Sequence, residues 1–331
     1  MVNEPATLQD AIVHFSDPDN CIQFVAQRRW PDGVVTCPTC LSTNVKFLPT
    51  RRVWQCKTRH KKFQFSVKVG TIFEDSPIGL DKWLMAMWMV TNCRNGVSSW
   101  EISRSLGVTQ KSAWFMLHRI RLATKDTNYG SKLGGPDGGA VEIDESFVGG
   151  KLANMHKHRV KAIREAIPAD REEGYETRSD NKTAVVGMFD RESRQVRAKV
   201  VRNVKRETLQ KEILKNVKFG SKVYTDSAVT YNRLAWRYVH ESVNHAERYV
   251  DGQIHTNSLE NFWSLMKRNL AGTYVAVEPF HLDRYLDEQM FRFNNRRGKS
   301  DADRFSKAVT QAIGRRLTYE DLTGKETPRP F

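Results

Sequence analysis

The sequence predicts a chain of three zones ending in a mixed α+β or α/β sheet domain, and two observations carry that expectation. Four apolar strand runs, "AVEIDESFV", "TAVVGMF", "QVRAKVV" and "KVYTD", lie beyond a glycine-rich linker, "GSKLGGPDGG" at 130–139, with helical patterns after the third and fourth. Antiparallel strands first, then helix, strand and helix, fit one sheet flanked by helices. Ahead of the linker, a cysteine-bearing stretch and a helical stretch mark the other two zones. The expected divisions are an N-terminal helix and ribbon at 1–75, a helical region at 76–130, the sheet domain at 131–300 with a charged insertion at 151–182, and a C-terminal tail at 301–331.

Composition limits what such a chain does. Its 331 residues, 39% of them hydrophobic, suffice for a real core. Lys and Arg outnumber Asp and Glu by 53 to 38, a net charge of +15, which predicts attraction to a polyanion. A membrane partner is disfavoured, because the longest charge-free apolar stretch, Trp83 to Cys93, falls well short of the roughly 20 residues of a spanning helix. The start, "MVNEPATLQD", lacks a basic segment and an apolar h-region, so a reducing cytoplasm is the expected compartment. Five unevenly spread cysteines suit that compartment better than a disulfide framework does.

In the first zone Cys37-Pro-Thr-Cys40 has the spacing that aims two thiolates from one knuckle turn at one ion, and Cys56 with His60 forms an opposite pair. The implied ion is zinc, in a zinc ribbon. The alternative makes His60 one more polar residue of "KTRHKK" and Cys56 a buried hydrophobe. Cys21 and Cys93 lie outside the pattern and are expected to be core thiols. From Lys46 to Lys68 the chain carries eight Lys or Arg and no acid.

The second zone, "SSWEISRSLGVTQKSAWFMLHRI", places Trp100, Ile102 and Leu106 on one helix, a turn at Gly107, and Val108, Ala113, Trp114 and Leu117 at the start of a second helix capped by Thr109. This is a helix-turn-helix pattern, which would offer Gln110, Lys111, Ser112 and Arg119 to a DNA major groove. An ordinary αα-hairpin has the same signature.

In the third zone three acids stand in separate elements: Asp144 and Asp226, each after an apolar strand run, and Glu260 in the helix "HTNSLENFWSLMKRNL". There Leu259, Phe262, Trp263, Met266 and Leu270 form an apolar stripe that would pack on the sheet, with Glu260 at its edge. Carboxylates gathered on a sheet repel one another, a cost that divalent cations between them relieve. Each acid also has a structural reading. Asp144 and Asp226 suit strand-end or Asx-turn positions. "NSLE" fits a capping box, with Asn257 as N-cap and Glu260 at N3, which would leave Asn257 as the possible ligand.

These segments, with "RWPDGVVTCPTC", "FSVKVGTIFEDSPI", "VEIDESFVGGK", "VYTDS" and "HTNSLENFWSLMKR", resemble bacterial insertion-sequence transposases of the DDE class, the zinc-ribbon group with an ISXO-like catalytic domain. The resemblance covers nearly the whole chain. It implies an RNase H-like catalytic domain with a mixed five-stranded sheet, and metal-dependent DNA cleavage and strand transfer at the element's terminal inverted repeats. It implies that Asp144, Asp226 and Glu260 are the catalytic acids holding two Mg²⁺ or Mn²⁺ ions. Lys267, seven positions after the glutamate, would be the basic residue of the signature, with Arg268 beside it as a DNA contact. The expected partners are double-stranded DNA and further copies of the chain, as a homodimer or higher homo-oligomer. Two rival classes share these features, a DNA-binding regulator that needs no acids and a nuclease or resolvase that cuts without joining. The chain departs from relatives that carry a second CxxC where it has Cys56-x3-His60, and the 151–182 insertion has no role in the resemblance.

Overall fold

The computed structural model describes residues 4–126, 131–150, 156–158, 160–161, 182–226, 237–243 and 255–324, with backbone alone at 226, 242 and 243. The chain forms two compact units. One comprises Met1–Thr127, Asn269–Ala276 and Asp287–Phe331; the other comprises Asn128–Arg268 and Val277–Leu286. Most of the 151–182 insertion lies outside the described residues.

The first unit opens with helices α1 (Leu8–Phe15) and α2 (Pro18–Arg29), started by side-chain caps at Thr7 and Asp17. A three-stranded antiparallel ribbon follows, β1 (Val45–Leu48), β2 (Val53–Cys56) and β3 (Gln64–Phe65). Helices α3 (Leu80–Asn92), α4 (Ser99–Leu106) and α5 (Gln110–Thr124) complete its N-terminal part. Gly107, at φ +59°, ends α4 in the left-handed conformation that glycine adopts without a Cβ clash, and Thr109 caps α5 two residues later. The expected two helices and tight turn are therefore present. Trp100, however, is 62% exposed, while Ile102 alone of the helix is fully buried. Cys21 is a core thiol, held up at about 12 by burial, but Cys93 is exposed at the end of α3.

The segment read from sequence as a C-terminal tail begins with a core helix, α9 (Asp301–Gln311), which follows α8 (Leu282–Asn294). Phe305, Ala308, Val309 and Ala312 join the core of α1–α3, and the Phe305 ring stacks on Phe24 at 5.3 Å. A short α10 (Tyr319–Thr323) follows. The same unit buries an ionic cluster in which Glu288 accepts from Arg121 Nε at 2.6 Å, from Arg292 and from the Tyr274 hydroxyl. Desolvation pushes the Glu288 carboxyl up, but the two guanidinium groups outweigh it and hold it near 2.

The second unit is built on a five-stranded mixed sheet of β4 (Val141–Val148), β5 (Thr183–Asp190), β6 (Val196–Val201), β7 (Lys222–Asp226) and β8 (Val239–Val243), in the order β6-β5-β4-β7-β8. The first three strands pair antiparallel, and β7 and β8 add in parallel. This is the mixed sheet that the strand runs predicted, in the RNase H-like arrangement that the resemblance implied. The fifth strand, "VHESV", is too polar to be read from its pattern. Helix α6 (Arg206–Asn216) buries Leu209 and Ile213 with Val141, Ile143, Val186 and Met188 on one face of the sheet. Helix α7 (Asn257–Asn269) lies on the other, where its Leu259 and Trp263 sit over Gly187. Of the predicted stripe, Leu259, Phe262, Trp263 and Met266 are buried, whereas Leu270 is half-buried and falls just past the end of α7. A Cβ at Gly187 would stand 2.5 Å from Trp263 Cζ2, so glycine is what lets the indole reach the sheet.

Removing the Glu288 charge would leave two buried guanidinium groups without their anion. Glu288→Gln is therefore expected to lower the unfolding free energy of the unit by about 3–5 kcal/mol near neutral pH. Because the folded carboxyl lies below its ordinary 4.5, this stabilisation is full above that pH and is lost as pH falls towards 2. Denaturant titrations of both proteins across that range check this, with the gap between them closing on the acid side.

Candidate functional site

The central strand β4 carries two acids on the α7 face, Glu142 and Asp144, because residues two apart in a strand share a face. Asp144 pairs across β5 with Gly187, over which Trp263 lies, and Trp263 Nε1 donates to Asp144 Oδ2 at 3.0 Å. Asp144 Oδ1 accepts from the Glu145 amide at 2.8 Å. Asp144 is only half-buried, so its carboxylate is oriented without being sealed away. On the other side of β4, Val141 pairs with Val223 and Glu142 with Tyr224. This parallel pairing ends at Glu142 and Tyr224, two residues before Asp144 on β4 and two before Asp226, the last residue of β7. The Asp226 side chain lies outside what is described.

The Glu260 side chain is exposed on α7 and has no hydrogen-bond or ionic partner among the described residues. The capping box does not form. Glu260 N donates to Thr256 O at 3.0 Å and the helix begins at Asn257, so Thr256 occupies the cap and Glu260 falls one place beyond N3. The amides of Ser258 and Leu259 donate instead to Glu142 Oε2, at 3.0 and 3.1 Å. Lys267 and Arg268 are exposed in the last turn of α7, also without partners among the described residues.

Sequence reasoning missed Glu142, which is fully buried, and its partners Arg191 and His255. Arg191 Nε donates to Glu142 Oε1 at 2.7 Å, and Arg191 Nη2 reaches His255 O and Nδ1, each at 2.7 Å. The available signal was an acid inside an apolar strand, two residues before another acid.

In the first unit, Cys37, Cys40, Cys56 and His60 place their ligand atoms within 4.8 Å of one another, the one such cluster of metal-ligating side chains among the described residues. Cys40 Sγ and Cys56 Sγ lie 3.6 Å apart, and Cys37 Sγ and His60 Nε2 lie 3.4 Å apart. A tetrahedral zinc with roughly 2.3 Å Zn–S and 2.0 Å Zn–N bonds needs edges of about that length. Burial pushes the Cys37 thiol up, but hydrogen bonds from the Cys40 and Thr39 amides and the neighbouring thiols bring it down to about 6, suited to a thiolate ligand.

The residues expected to face a DNA groove divide. Lys111 is exposed at the start of α5, with its ammonium 5.5 Å from the Tyr319 ring centre. Gln110 ties α5 to α4 through Ser99 Oγ at 2.8 Å, and Ser112 completes the Thr109 cap. Arg119 is a correction. It is 5% exposed, and its guanidinium donates to the carbonyls of Leu317, Ile72 and Glu74, because two further turns of helix carry it into the unit's interior. No helix among the described residues is long and apolar enough to cross a membrane.

The family model for the ISXO2-like transposase domain matches residues 136–294, and that for the transposase zinc-ribbon domain matches residues 16–61. The chain is 28% identical over 269 residues to a protein of the transposable element ISH50 of Halobacterium salinarum, covering 80% of this chain and 86% of that protein. It is 35% identical over 102 residues to a transposase-like protein of Haemophilus influenzae, covering 30% of this chain and 82% of that protein. With a ribbon at the front and an RNase H-like sheet behind it, each matched by its own model, the chain belongs to the family of insertion-sequence transposases with an ISXO2-like domain.

Proposed function

We propose that the protein binds the terminal inverted repeats of its element and catalyses metal-dependent cleavage of the DNA ends and their transfer to a target. The observation that carries this reading is the oriented, half-buried Asp144 carboxylate on β4, the strand paired in parallel with the Asp226 strand, beneath the helix that bears Glu260, whose side chain has no partner among the described residues. Asp144, Asp226 and Glu260 offer hard oxygen donors that suit magnesium or manganese. Those three carboxylates would hold two such ions, which would stabilise the charge that develops on the oxygens of a phosphoryl displacement.

The chain's own residues set up the rest. Trp263 fixes one oxygen of Asp144 and the Glu145 amide meets the other, which orients the carboxylate. Lys267, two turns or about 10.5 Å along the helix from Glu260 and within about 20° of its direction, is too distant to share an ion. It holds a phosphate or end base beside the reacting bond as a point charge. Arg268 and Lys111 add phosphate contacts; Gln110 and Ser112 stand at the helix start that enters a groove. The ribbon holds one structural zinc through Cys37, Cys40, Cys56 and His60. The protein works as a homodimer or higher homo-oligomer on DNA, in the cytoplasm.

Three outcomes follow. Asp144→Ala, Asp226→Ala and Glu260→Ala each abolish cleavage and joining in Mg²⁺ while binding to the element's end persists. Full activity in Glu260→Gln, with loss in Asn257→Ala, would move the third ligand to Asn257; cutting without joining by the unaltered protein would make it a nuclease. Purified protein contains one zinc per chain by elemental analysis, and His60→Ala loses it together with local folding of the ribbon, because the metal supplies much of that folding energy. A protein free of zinc overturns the ribbon site. Lys267→Ala keeps zinc, fold and end binding but cleaves poorly, with a defect that grows as salt is raised. Unaltered rates in that variant across salt concentrations would return Lys267 to a solvated helix face.

A further inference from the structure

Glu142 is fully buried, and a carboxylate is costly to bury unless its charge and its lone pairs are all met. Here they are met in an informative way. Oε1 takes Arg191, with His255 Nδ1 at 3.7 Å, and Oε2 takes two of the first amides of α7, those of Ser258 and Leu259. Those amides lie at the positive end of the helix dipole, where Leu259 N also donates to Thr256 O at 3.0 Å. Beyond the residue at its cap, this helix has one of its first amides met by a strand residue 116 positions away. The Arg191 guanidinium stacks on Tyr224, the β7 residue paired with Glu142, so the clamp spans both strands that bear the aspartates.

The second attachment of α7 to β4 is the hydrogen bond from Trp263 to Asp144. From Leu259 to Trp263 the helix rises about 6 Å, and from Glu142 to Asp144 the strand rises about 6.6 Å. The two fastenings therefore match in length, and Glu260 lies between them on the helix. A shift of α7 by one residue would break both at once.

We infer that Glu142 is a positioning residue for the metal site, fixing where along β4 the helix bearing Glu260 comes to rest, so that Glu260 meets Asp144 without moving when a cation binds. This rests on the reading of Asp144, Asp226 and Glu260 as metal ligands. Glu142 itself touches neither ion nor DNA. Its two oxygens are spent on α7 and Arg191, and its effect on the site passes through Glu260.

The test is direct binding of Mn²⁺ to the full-length protein, followed by the paramagnetic resonance signal of the free ion, alongside thermal unfolding and cleavage of an end-bearing duplex. Glu142→Gln removes the charge; Glu142→Asp keeps the charge for Arg191 but is one carbon too short to reach both partners, and serves if the glutamine variant does not fold. Folded variant protein is expected to bind Mn²⁺ on the order of tenfold or more weakly at the site that Asp144→Ala abolishes. Cleavage should recover at high Mn²⁺, a shift in half-saturation that a loss of folded protein alone would not produce. Unchanged Mn²⁺ affinity in both variants overturns the inference. Absence of any Asp144-dependent Mn²⁺ binding in the unaltered protein overturns the inference together with the metal-site reading beneath it. Mn²⁺ binding without cleavage by the unaltered protein overturns the proposed function alone, and the variants' affinities still decide the role of Glu142.

Discussion

The second unit depends on one constraint: a helix with a loosely specified start must lie at a defined height along the central strand. Apolar burial by Leu259, Phe262, Trp263 and Met266 presses α7 onto the sheet, but hydrophobic contact is nearly indifferent to a small slide. Directional bonds remove that freedom. Glu142 holds the first amides and Asp144 holds the indole, and Gly187 leaves room for the indole between them. The cost of burying Glu142 is offset by Arg191 and two amides, so the element that fixes the helix is also one that cannot tolerate a misfit.

The first unit solves a related problem by different means. Its ribbon is small, with strands of four, four and two residues, too little surface to bury for independent stability. Cysteines and a histidine gathered within 4.8 Å offer a metal staple in place of a core. The helices beyond it share one continuous core with α9, and the Glu288 cluster joins α5 and α8 with the 269–276 segment. Chain segments distant in sequence thus belong to the same unit.

What was legible in the sequence is what depends on local pattern. The ribbon ligands have a diagnostic spacing, the α7 stripe has the helical period, and Asp144 and Asp226 follow apolar runs, although β4 continues past Asp144 to Val148 while Asp226 ends β7. What was not legible depends on partners far along the chain. Glu142 looked like a strand residue because its amide partners lie more than a hundred positions away. Arg119 resembled a groove contact because nothing near it reveals the carbonyls of Ile72, Glu74 and Leu317. "NSLE" matched a capping box whose place a residue of another element has taken. Residues 301–311 read as a tail because Phe305, Ala308 and Val309 show their role only against α2 and α3. Strand β8 was lost to its polar centre, which suits the second strand of a parallel pair at the sheet's edge.

The most direct measurement of the central claim is a crystal of the protein soaked in Mn²⁺, with anomalous diffraction recorded at the manganese edge. Density for the ion between Asp144, Asp226 and Glu260, with the Glu142 and Trp263 bonds intact, is the predicted result. Manganese bound elsewhere, or held by Asp144 and Asp226 with Glu260 still turned to solvent and Asn257 in its place, would contradict it.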